Sequence, residues 1–132
     1  MVDLKAGPFY LTDAEIKWVE DTKNSLSDEE KLEQLFFPIG YSPDPGYLEH
    51  ALLSHHPGGV MFRTGKTEEL YAAHSFLQEH SKIPLLLAAN LEAGGDGIVE
   101  DGTAFGKQMQ AAATGDPENA YRLGKISCAE GQ

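Results

Sequence analysis

One apolar segment of this chain ends abruptly in polar groups. Ile83-Pro84-Leu85-Leu86-Leu87-Ala88-Ala89 gives way to Asn90-Leu91-Glu92-Ala93-Gly94-Gly95-Asp96-Gly97. A carboxamide both donates and accepts hydrogen bonds and a carboxylate accepts them, so Asn90 and Glu92 bring polar groups to a ligand site. Glycine permits the tight turn needed beside such groups. The run before them is apolar on both faces, as a buried parallel strand is. Strands of that kind deliver ligand-binding groups at their C-terminal ends.

Other residues that could do chemistry read more simply. Asp96, Glu100 and Asp101 lie on a glycine-rich loop and read as solvated. Gly94-Gly95-Asp96-Gly97 lacks the G-x-G-x-x-G spacing of a dinucleotide loop, and no Gly-Lys-Ser/Thr follows it. His55 and His56 are adjacent, point apart, and have no third ligand near them, so no metal is expected. Pro57 is expected to hold His56 extended. Cys128 is the single cysteine. It allows no internal disulfide and, within an apolar helical pattern, reads as a small core residue. Phe36, Phe37, Tyr41 and Phe62 read as core, with Tyr41 open to a second role because it follows the first strand.

The 132 residues suffice for one ordinary domain, and a 41% hydrophobic content permits a core. Ten basic against 21 acidic residues give a net charge of −11. That excess, without any basic cluster, argues against nucleic acid or an anionic membrane as partner. The start has no long apolar core of a signal peptide and no stretch reaches membrane-spanning length, so a cytoplasmic protein is expected.

These groups need a frame. Thr12 and Glu15 form a capping box, with Leu11 and Ile16 as a hydrophobic staple, and a second box opens at Ser27 with Glu30. Pro38 should stop the helix that carries Leu32 and Leu35. Strands are expected over residues 36–40, 58–62 and 83–89. Helices are expected over 47–55 and 67–80 and from Asp116 onward, where Pro117 takes the first helical position. Leu70, Ala73 and Leu77 share one helix face; Ala120, Leu123 and Ile126 form the last stripe. Strand centres near 38, 60 and 86 suit successive β/α units.

From Ser27 to Gly131 the chain resembles glycoside hydrolase family 3, in its β-N-acetylglucosaminidase-like branch. Ser27-Asp28-Glu29-Glu30-Lys31-Leu32-Glu33-Gln34-Leu35-Phe36 is similar to that family's opening L-S-x-E-E-K-x-x-Q-L-F. His56-Pro57-Gly58-Gly59-Val60 is similar to its P-G-G-V strand, and Ala112-Ala113-Thr114-Gly115-Asp116-Pro117-Glu118-Asn119-Ala120-Tyr121 to its A-A-T-G-D-P-x-x-A-Y. Ile83 to Gly95 follows its I-P-L-L-x-A-x-[D/N]-x-E-x-G-G.

The resemblance implies an α/β fold: an incomplete TIM-type (β/α)8 barrel of about three β/α units with N-terminal helices, residues 1–132 being the N-terminal fragment of the barrel domain. It implies a parent that hydrolyses terminal β-N-acetylglucosaminides with retention, or transfers the sugar to phosphate, using no cofactor. The nucleophilic Asp and the general acid lie beyond this segment, so no catalytic residue is assigned here and the fragment alone should be inactive. Asn90, where the family commonly has Asp, and Glu92 are the substrate-binding candidates; the alternatives are an Asn90 that satisfies loop backbone and a Glu92 that organises the loop by accepting backbone N–H bonds. Carbohydrate is the expected partner. Two open sheet edges imply self-association. A non-catalytic sugar- or protein-binding half-barrel is the alternative, and a flavodoxin-like domain would need more strands.

Overall fold

The computed structural model describes residues 2–63 and 65–132. Thr64, expected at the end of the second strand, lies outside them. Two capped helices open the chain: α1, Asp13–Ser25, and α2, Asp28–Glu33. In α1 the Thr12 hydroxyl accepts from the Glu15 N–H at 3.3 Å and the Glu15 carboxylate accepts from the Thr12 N–H at 2.7 Å. Ser27 and Glu30 repeat the exchange at 3.1 and 2.7 Å. No residue of either helix is buried. Leu32, Leu35 and Phe36, read from sequence as an apolar face, are exposed.

The α/β core follows. Strand β1 is Ile39–Gly40, shorter than expected because Gln34, Leu35 and Phe36 finish the turn that ends α2. A helical turn α3, Pro45–Tyr47, capped by Asp44, runs on as a π turn over Leu48–Leu52 and a tight turn over Leu53–His55. Then come β2, Gly59–Phe62; α4, Thr67–His80; β3, Leu86–Ala88; and the helices α5, Gln108–Ala113, and α6, Pro117–Glu130. The three strands form one parallel sheet in the order β1-β2-β3. Ile39 pairs with Met61, and Gly59 with Leu86.

Side chains alternate along a strand, so this register separates two faces. Gly40, Val60 and Phe62 face the helices. There Leu48, Leu52, Leu70, Ala73 and Leu77 complete the core, and the Phe62 ring fills the space a Cβ at Gly40 would need. The other face carries Ile39, Met61 and Leu86, with the Phe37 ring lying over Gly59, where any side chain would collide with it. Leu86 on that face is exposed, and among the described residues β3 is an edge.

Four sequence readings are corrected. Leu86 and Leu87 are 70% and 43% exposed, because β3 is the edge strand of the sheet among the described residues. Phe36, Phe37 and Tyr41 are exposed for related reasons, and only Phe62 of that aromatic group is core. Cys128 is exposed; the turns of α6 direct Leu123 inward and leave Cys128 outside. His56 is not extended either. It is left-handed, with φ 41°, and closes the turn after His55. Its carbonyl accepts from the Gln34 amide at 2.7 Å and its ring meets Glu33 at 2.9 Å, contacts that offset an unfavourable backbone.

Candidate functional site

Parallel strands in register end at one rim. Beyond β1 the chain presents Tyr41, beyond β2 Arg63, and two residues beyond β3 Asn90. Tyr41 is exposed, and its N–H donates to the Tyr47 hydroxyl at 3.3 Å. The Arg63 N–H donates to the Gly40 carbonyl at 3.0 Å, which ties the first two strand ends together. Pro57-Gly58 and Pro84-Leu85 stand at the opposite rim. There the Gly58 N–H donates to Phe36 and the Leu86 N–H donates to Gly58.

Asn90 is half-buried and Glu92 exposed. Neither side chain forms a hydrogen bond or ion pair with any described residue. The Asn90 backbone is held closely, since a Cβ at Gly97 would collide with its carbonyl oxygen. Glu92 lines a groove of about 620 Å3 with Leu91, Ala111, Ala120, Leu123 and Ser127, between the loop and helices α5 and α6. Asn90 stands outside it.

The loop after β3 folds on itself. Phe105 donates to the Ala93 carbonyl at 2.7 Å and Asp96 to the Thr103 carbonyl at 3.4 Å. Two carboxylates brace it. Asp101 accepts from the Thr67 N–H and hydroxyl at 2.9 and 2.8 Å, at the start of α4. Glu130, at the end of α6, accepts from the Thr103 N–H at 3.0 Å and from its hydroxyl. Those bonds hold both carboxyls below the ordinary carboxylate range: the Thr67 hydroxyl and then its N–H for Asp101, the Thr103 hydroxyl and then its N–H for Glu130. Asp101 is exposed, in keeping with the solvated residue the sequence suggested, and also braces the loop through Thr67. The role of Glu130 has only a faint sequence signal: a Ser and a Glu three apart on the flank of an amphipathic helix.

Among the described residues no three His, Cys, Asp or Glu side chains stand together as a metal ion would need. None of their helices is long and apolar enough to cross a membrane.

The chain is 40% identical over 126 residues to a beta-N-acetylglucosaminidase/beta-glucosidase of Cellulomonas fimi. That match takes in 96% of this chain and 22% of the relative. The structure superposes on the beta-glucoside phosphorylase BglX bound to 2FGlc with a TM-score of 0.81 and 41% identity, over 97% of this chain and 23% of the other. A second BglX structure gives 0.80 and 40%. The chain matches an N-terminal part of glycoside hydrolase family 3 proteins. It spans about a fifth of the length of the family 3 proteins it matches. No protein-family model matches it. In family 3 terms the mixed helix-and-strand structure, with its small parallel sheet, corresponds to an N-terminal part of the domain.

Proposed function

We propose that residues 1–132 form the first three β/α units of a (β/α)8 barrel, and that the complete protein cleaves terminal β-glycosides, N-acetylglucosaminides first among them, with retention. The observation that carries this reading is the single rim at which three parallel strands end, with Asn90 just past β3 and its amide unpartnered among the described residues. In a barrel the loops after the strands gather around one mouth, where substrate binds. Asn90 there contacts a sugar hydroxyl. Glu92 completes the substrate-binding pair, reaching sugar from the exposed side of the loop. Retaining cleavage needs two positioned carboxyls, and the family's nucleophile and general acid have no counterpart here. The remaining strands would pair with β3 and cover Leu86 and the Phe37 face. A cytoplasmic location and a cofactor-free reaction complete the reading.

Phosphate in place of water as the sugar acceptor is a second reading, favoured by the phosphorylase name of both superposed structures. Chromogenic β-N-acetylglucosaminide and β-glucoside, each with and without phosphate, test these readings. The chain alone should release no chromophore above background. Turnover by the pure chain that Glu92→Ala abolishes would overturn the assignment of catalysis to residues outside it. In the longer protein, phosphate-dependent release would select the second reading.

A further inference from the structure

Helix α6 reaches the loop after β3 at two points. The Ser127 hydroxyl donates to the Leu91 carbonyl at 2.6 Å, between Asn90 and Glu92. One helical turn on, the Glu130 carboxylate accepts from the Thr103 N–H at 3.0 Å and from the Thr103 hydroxyl. Positions three apart lie on one helix face, so both contacts come from one side of α6. Glu130 also occupies the place a side chain at Gly95 would take, so the glycine admits the carboxylate. The Gly95 N–H adds to the stabilisation of its charge. Because Asp96 donates to Thr103 and Phe105 to Ala93, holding Leu91 and Thr103 fixes both legs of the loop. Neither polar side chain is required by the apolar stripe of α6, which Leu123 and Ile126 supply.

We propose that Ser127 and Glu130 are positioning residues: through the Leu91 carbonyl and the Thr103 amide, α6 sets where the loop presents Asn90 and Glu92. This rests on the reading of Asn90 and Glu92 as substrate-binding groups, but its test contains no sugar. A sugar contact that fails therefore leaves the positioning result interpretable. A charged acceptor makes the stronger hydrogen bond, and a carboxylate can hold an N–H and a hydroxyl together.

Amide hydrogen exchange and 1H–15N spectra of the 132-residue chain and of Glu130→Ala, Glu130→Gln and Ser127→Ala decide the matter. Glu130→Ala should speed Thr103 exchange by about tenfold or more, with the Met61 and Arg63 amides in the sheet unchanged. Glu130→Gln keeps one acceptor oxygen and should restore part of the protection. The Thr103 amide proton should titrate in acid, below the ordinary glutamate range, and that titration should vanish in the Gln variant. The Asn90 side-chain NH2 signals should move in Glu130→Ala. Ser127→Ala should shift the Leu91 and Glu92 amides and spare Thr103. Unchanged Thr103 exchange in Glu130→Ala would overturn the proposal. So would faster exchange in loop and sheet alike, which marks general destabilisation, or Asn90 signals that stay in place.

Discussion

His74 meets Phe62 edge to face, with ring centroids 6.0 Å apart and planes at 85°. Its Nε2 is buried and finds no hydrogen-bond partner among the described residues. Burial pushes the imidazole below its ordinary 6.5. The unfolded chain therefore binds a proton at a pH where the folded chain does not. Stability is complete above about 6.5 and falls as the pH drops below it. Urea unfolding across this range should show that decline, and His74→Phe, which keeps an aromatic ring against Phe62, should flatten it. An equal decline in His74→Phe would assign the effect to other groups.

Gln78 mimics a strand at the entry to β3. Its amide donates to the Leu85 carbonyl and its oxygen accepts from the Leu85 N–H, both at 2.9 Å. Gln78→Ala leaves a part-buried donor and acceptor unpaired, at a cost of about 1–3 kcal/mol in chemical denaturation. Gln78→Glu keeps the acceptor and should cost less. A loss in Gln78→Ala within about 0.3 kcal/mol of zero would mean that water replaces both bonds.

Lys82 ties α2 to the far rim of the sheet through Glu30 at 2.7 Å. Lys82, followed by the Ser27 N–H, brings the Glu30 carboxyl down to about 2. A lowered carboxyl contributes stability above its unfolded value of 4.5, and that contribution is lost as pH falls toward 2. Proteolysis within residues 13–33 should accelerate in acid and in high salt, which screens the exposed pair. Glu30→Gln should show the faster rate already at neutral pH. Cleavage that ignores both salt and this substitution would show that other contacts hold α2.

Leu86 and Leu87 sit on an unpaired strand edge, which makes β3 a template for another chain. Sedimentation velocity should show concentration-dependent association of the isolated chain, reduced by Leu86→Lys. A single monomeric species at all concentrations would contradict this.

Local signals carried much of the fold. The capping boxes at Thr12 and Ser27 involve residues three apart and form as read. The Leu70, Ala73 and Leu77 stripe lies buried under β2 because its period is that of the helix. Burial on a sheet is not local. Leu86 and Phe37 look like core in sequence, yet their exposure depends on a covering layer that these residues do not supply. The loop was legible as polar and glycine-rich. Its bracing was not: Thr103 and Glu130 are 27 residues apart, and Thr67 and Asp101 are 34 apart. No periodicity links such pairs. His56 escaped for the same reason, since its left-handed backbone depends on Gln34 and Glu33, over twenty residues earlier.

The most direct measurement is steady-state kinetics of Asn90→Ala in the longer protein that carries this segment, with a β-N-acetylglucosaminide as substrate. Loss of one or two hydrogen bonds to the sugar, about 1–3 kcal/mol, should lower kcat/KM by roughly 5- to 150-fold with the melting temperature unchanged. Wild-type kinetics in that variant would contradict the placement of the sugar at the rim where β1, β2 and β3 end.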